Sequence, residues 1–193
     1  MNPNLLMGKK VVGTEGYFLG EVDGLDVDSN IWQAVAFYVS LSEEAVAELG
    51  FKKQFLRKMV ICLPTRLIKV VGDVITLSEP IRNLGDIAER EICVNYAKLD
   101  GKKVVSAKGY LVGEIEGLDV ELSNWRVTGL EVGLTDDAAT ELGFKRPFLS
   151  KVVVIIPSEV VSEIGNFVTL DKAIENLKSL VECIRSCQRQ NKD

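Results

Sequence analysis

Carboxylates are the first residues whose spacing could do chemistry. Glu21, Asp23, Asp26 and Asp28 lie close together, and Glu114, Glu116, Asp119 and Glu121 repeat them 93 residues later. Neighbouring carboxylates can pass protons or hold a divalent cation. The plainer reading is a solvated strand face with turn caps. The chain has no histidine, which removes the usual base near neutral pH and the commonest metal ligand. Catalytic triads built on histidine are excluded.

The cysteines stand at 62, 93, 183 and 187. Cys183 and Cys187 are four apart, so on a helix they would share a face. A metal site needs about two further ligands, and none is close in sequence. Cys62 aligns with Ile155 of the repeat described below, which marks it as a core filler. The irregular spacing reads as reduced thiols in a cytosolic setting. No metal and no cofactor is expected.

Two loops carry the other candidate chemistry. Phe51-Lys52-Lys53-Gln54-Phe55-Leu56 and Phe144-Lys145-Arg146-Pro147-Phe148-Leu149 interleave aromatic and basic side chains. Such loops are typical of protein interfaces, where aromatics anchor and bases select. The alternative is that the phenylalanines plug the fold and the bases only solvate the loop. The docking reading names Phe51, Lys52, Lys53, Phe55, Leu56, Phe144, Lys145, Arg146, Phe148 and Leu149 as partner-binding residues. Two copies on one chain would permit bivalent attachment.

The elements around these residues are written twice. Positions 8–84 match positions 101–177 without a gap, with 33 identities in 77. This spacing shows a duplicated module. In each copy a short strand leads through a glycine turn into a longer alternating strand, with Phe18, Gly20, Val22 and Gly24 on one parity. A second strand is expected from Trp32 to Leu41, with Trp32 and Trp125 as core candidates. Ser42 can cap a short helix that Gly50 stops. Two further short strands and a last hairpin close each copy. Several short strands with one small helix point to a mainly β fold made of two tandem small β-barrels.

The expected boundaries are residues 1–85 for the first unit, 86–100 for an ordered link and 101–171 for the second unit. Residues 172–193 read as a helical tail, because Ala173, Ile174, Leu177, Leu180, Val181 and Ile184 follow helical spacing.

Composition narrows the function classes. The net charge is −5, and neither repeat carries a basic excess, which weighs against nucleic acid as a partner. The apolar runs are short and the first residues lack a basic n-region, so neither membrane insertion nor a secretory signal is expected. No phosphate-binding glycine loop, nucleophile elbow or zinc pattern occurs.

The order of the pieces carries a resemblance. Gly-Lys-Lys-Val-Val at 8–12, Gly-Tyr-x-x-Gly-Glu from Gly16, Gly-Leu-Asp-Val at 24–27 and then Trp32 recur from Gly101. This pattern resembles a PRC-barrel domain. The stretch Glu-Leu-Gly-Phe-Lys-x-x-Phe-Leu, followed by Pro and Gly-x-x-x-Thr-Leu, resembles the archaeal branch. The resemblance implies tandem β-barrels and a non-catalytic adaptor of archaeal cell division that binds a SepF-type anchor of FtsZ. It also implies a cytoplasmic protein recruited to the division site, able to form homo- or hetero-oligomers through barrel faces or the C-terminal helix. Exposed strand edges are expected to pair with a partner strand. The same barrel in a ribosome-maturation factor implies the alternative of a ribosome- or RNA-processing-associated factor. A metal-binding or enzymatic module built on the acidic clusters is the third class.

Overall fold

A computed structural model describes residues 6–51, 58–85, 99–145 and 150–185. The chain divides into two compact units. One is built from Pro3–Ala97 together with Leu122–Arg126, the other from Lys98–Glu121 and Val127–Asp193. Both are mainly β.

The first unit contains β1 (Lys10–Val12), β2 (Phe18–Asp28), β3 (Gln33–Leu41), α1 (Glu43–Glu48), β4 (Val60–Pro64), β5 (Ile68–Val71) and β6 (Ile75–Leu77). The strands pair in the order β4-β3-β2-β1-β6-β5. Only β1 and β6 run parallel. Among the described residues this sheet does not close, so β5 forms one end of it.

The core of the unit holds Leu19, Val22, Phe37, Val39, Leu63 and Ile75, all nearly inaccessible to water. The alternation expected for β2 breaks here. Val11 faces Gly20 and Val12 faces Phe18, so Leu19 is an extra residue in a bulge. The bulge turns Leu19 inward and leaves Phe18 39% exposed. Gly20 is required at this bend, because a Cβ there would lie 2.0 Å from the Ser40 carbonyl oxygen. Strand β3 starts at Gln33, one residue later than expected, because Trp32 sits in the turn at φ 50°.

Local signals set α1. The Ser42 hydroxyl accepts from the Ala45 N–H at 3.0 Å, and Glu43 and Glu44 occupy the positive first turn. Gly50 ends it at φ 73°, in the left-handed region that glycine tolerates.

The second unit repeats this plan with β7 (Lys103–Val105), β8 (Leu111–Glu121), β9 (Arg126–Leu134), α2 (Asp136–Glu141), β10 (Val153–Pro157), β11 (Val161–Ile164) and β12 (Phe167–Leu170). Thr135 replaces Ser42 as the helix cap, accepting from Ala138 N–H at 3.1 Å. The order is β10-β9-β8-β7-β12-β11, again with one parallel pair, β7 with β12.

The C-terminal region differs from the expected long helix. A single turn, α3 (Ile174–Leu177), is followed by β13 (Glu182–Arg185), which pairs antiparallel with β10. A lone tail helix would have left the outer backbone groups of β10 to water or to nothing. Pairing satisfies them, and that tertiary gain exceeds the modest helix preference of the segment. Residues 186–193 lie outside the described residues, as does most of the expected 86–100 link. Cys183 is disulfide-bonded, with its partner outside the described residues, so the reduced-thiol expectation fails at this position. Among the described residues no helix is long and apolar enough to cross a membrane.

Candidate functional site

The acidic clusters separate into individual structural contacts. Asp28 accepts the Asn30 N–H at 2.9 Å and closes the turn after β2. Asp23 accepts the Ser40 hydroxyl at 3.0 Å. Asp26 is 3% exposed, and burial pushes its carboxyl above the ordinary range. Hydrogen bonds from the Tyr38 hydroxyl and the Val27 N–H oppose that rise. Gly24 lies opposite Tyr38, and its missing side chain leaves room for the Tyr38 ring.

In the second unit Asp119 accepts the Thr128 hydroxyl at 2.5 Å. Glu116 reaches Lys151 at 3.7 Å and Arg185 at 3.5 Å, which ties β8 to β13. Glu21 and Glu114 face solvent, as does Glu121. Among the described residues no three His, Cys, Asp or Glu side chains converge on a metal position.

The aromatic and basic loops are described only at their starts. Phe144 is 3% exposed and belongs to the core, while Phe51 is half-buried and packs against the core of its unit. Both therefore plug the fold, and neither stands out as a free anchor. The physical reason is the chain reversal at Gly50 and Gly143, which sends the next residue back against the sheet. Lys145 is exposed. Lys52, Lys53, Phe55, Leu56, Arg146, Phe148 and Leu149 lie outside the described residues.

A shallow groove lies elsewhere in the first unit. Strand β5 pairs with β6 on one side and, among the described residues, ends the sheet on the other. An open groove of about 410 Å³ runs beside it, lined by Ile68, Lys69, Val70, Val71, Leu122, Ser123 and Trp125. Val70 is 53% exposed at its rim. A strand end of this kind presents backbone donors and acceptors in a fixed row, with side chains alternating beside them.

The far wall is the turn Leu122–Arg126. Trp125 adopts φ 61°, unusual for a bulky residue. Its ring stands edge-on to Phe37, with centroids 5.4 Å apart and planes at 85°. The Trp125 carbonyl accepts from the Ala34 N–H at 2.8 Å, and the Gln33 amide donates to the Asn124 carbonyl at 3.0 Å. The Asn124 side chain closes the turn by accepting the Arg126 N–H at 2.9 Å. These contacts hold the turn in place, and Trp32 takes the same left-handed conformation at the equivalent position of the first repeat, so the turn is part of the module.

Sequence reasoning anticipated open strand edges in general but missed this one. The usable signal was the run Ile68-Lys69-Val70-Val71, too apolar for a solvated strand. The position of Trp125 in the unit formed by Pro3–Ala97 had no local signal. Chemically, the groove offers an amine, a hydroxyl, apolar contact and a strand edge that no described strand pairs, which is equipment for binding an extended segment.

The chain matches no protein-family model, and it matches no curated protein.

Proposed function

We propose that this chain is a non-catalytic protein-interaction adaptor that captures an extended partner segment along the β5 edge. The observation that carries the reading is the combination at that edge: a side of β5 that pairs with no described strand, Val70 exposed to 53%, and a groove backed by Trp125. An added strand would gain main-chain hydrogen bonds from β5, and alternate side chains would enter the groove.

The finer reading is that the two units are tandem PRC-barrel-like modules. It is supported by their shared strand order and by the bulged, glycine-bent second strand of the first unit. On the same resemblance the partner is a SepF-type cell-division protein, and the adaptor reaches the division site through it. The basic loop residues, Lys145 among them, would add charge contacts at the margin.

The test is a titration of purified SepF-type protein into the intact chain by calorimetry. Saturable binding is expected, weakened about tenfold or more by Val70→Asp, since burying an unpaired carboxylate in the groove is costly. An intact chain that binds no SepF-type protein removes that partner. Binding that ignores Val70→Asp removes the β5 edge as the site.

A further inference from the structure

The two units end on equivalent edges that have diverged in charge. Strand β5 in the first unit and β11 in the second each pair on one side only among the described residues. Their burial is the same residue for residue: half-buried, exposed, exposed, half-buried. The residues differ. Edge β5 reads Ile68-Lys69-Val70-Val71, while β11 reads Val161-Ser162-Glu163-Ile164. Lys69 is exposed on the first and Glu163 on the second.

We infer that the β5 edge of one copy pairs antiparallel with the β11 edge of a second copy, joining chains head to tail. The inference rests on the edge-docking reading above, and a second copy on that edge competes there with the partner segment. Lys69 and Ser162 are the extra residues of their bulges, so the match is one of charge, Lys69 against Glu163, with Ile68, Val71, Val161 and Ile164 flanking it. Opposite charges across an antiparallel ribbon favour pairing, and the β-branched residues beside them suit a strand. The alternatives are poorer. Two β5 edges would bring two lysines onto one ribbon, and two β11 edges would bring two glutamates.

Charge matters more here because both edges are bulged, between Ile68 and Val70 and between Val161 and Glu163. Bulges guard edges against indiscriminate pairing, so a permitted partner must offset that with complementary charge. Because the two edges are different surfaces, the contact is heterologous. It generates a ring or an open filament rather than a closed two-fold dimer.

The test is sedimentation velocity of the full chain over a concentration series at low and high salt. The native chain is expected to associate in steps, more weakly at high salt. Lys69→Glu alone and Glu163→Lys alone should each weaken association roughly tenfold or more, because like charges then face each other. Mixing the two variants restores one native and one reversed contact, and association should return. Both positions are exposed, and unchanged thermal unfolding of each variant confirms an intact fold. A native chain that stays monomeric throughout overturns the inference. So does association that survives either reversal, or a mixture that stays dissociated.

The adaptor reading is scored separately by titrating SepF-type protein into the same samples. Capture by a monomeric native chain, sensitive to Val70→Asp, leaves the adaptor standing while head-to-tail pairing falls. Charge-sensitive assembly without capture does the reverse.

Discussion

The β5 and β11 edges occupy the same place in two copies of one module, yet they present different surfaces. Lys69 and Val70 in the first become Ser162 and Glu163 in the second. Exposed edge positions pack against nothing, so their substitution leaves the fold intact and changes only what the edge accepts. A pair of residues in contact shows the opposite behaviour. Asp23 with Ser40 in the first unit becomes Glu116 with Gly133 in the second. The longer acid lies over the missing side chain, and a Cβ on Gly133 would fall 2.2 Å from Glu116 Oε1. Packed positions therefore change together and exposed ones change alone. The free energy of the fold constrains the first kind and leaves the second nearly unconstrained.

A further contrast concerns the other end of each sheet. Strand β10 is covered by β13, whereas β4 pairs only with β3 among the described residues. The duplication thus produced two sheets of one design whose outer strands are handled differently.

The sharpest way to break the interior comparison is Gly20→Ala. The new methyl would meet the Ser40 backbone, which cannot step aside, so a loss of about 3 kcal/mol is expected in urea unfolding. A loss below about 0.5 kcal/mol would show that the bend tolerates a side chain. Next in size is the transplant Lys69→Ser with Val70→Glu, which writes the β11 edge onto β5. Partner binding should fall about tenfold or more while stability stays within about 0.5 kcal/mol, because both positions are exposed. Binding that survives the transplant would erase the distinction between the edges.

Gly133→Ala should cost about 1 kcal/mol, less than Gly20→Ala, because the obstructing atom is the end of a movable Glu116 side chain. Glu116→Asp in the same molecule should recover part of that loss, as the Asp23 arrangement implies. Additive losses in a double-mutant cycle would refute the coupling.

The smallest effect concerns Asp26, whose folded pKa is raised chiefly by burial. Its contribution to stability is fully present below the unfolded value, near 3.9, and is lost as pH rises through the folded value. Asparagine keeps its neutral form throughout. Asp26→Asn should therefore gain in melting temperature, relative to the native chain, on going from pH 3 to pH 7. A difference that shrinks over that interval would contradict the burial argument.

Much of the fold was legible because it is local. The 93-residue repeat, the Ser42 and Thr135 caps, and the Gly50 and Gly143 stops depend on contacts within a few residues, which residue type alone largely settles. The turn-capping role expected for acidic residues also holds at Asp28. The proposed interaction surface was legible only in kind. Aromatic and basic loops drew attention, but Phe51 and Phe144 turn inward because the sheet beneath them needs covering.

Sequence by itself determined that this protein is a mainly β module written twice, with its helix boundaries set. Tertiary structure alone decided that the C-terminal segment becomes a strand, because the edge of β10 lies where it passes. It also decided that Leu19 rather than Phe18 points inward, through a register shift against β1. The same is true of Trp125, which joins Phe37 in the unit of Pro3–Ala97. These outcomes depend on contacts between residues far apart in the chain. Local preference is worth a few tenths of a kcal/mol per residue, and burial and backbone pairing across a sheet exceed it.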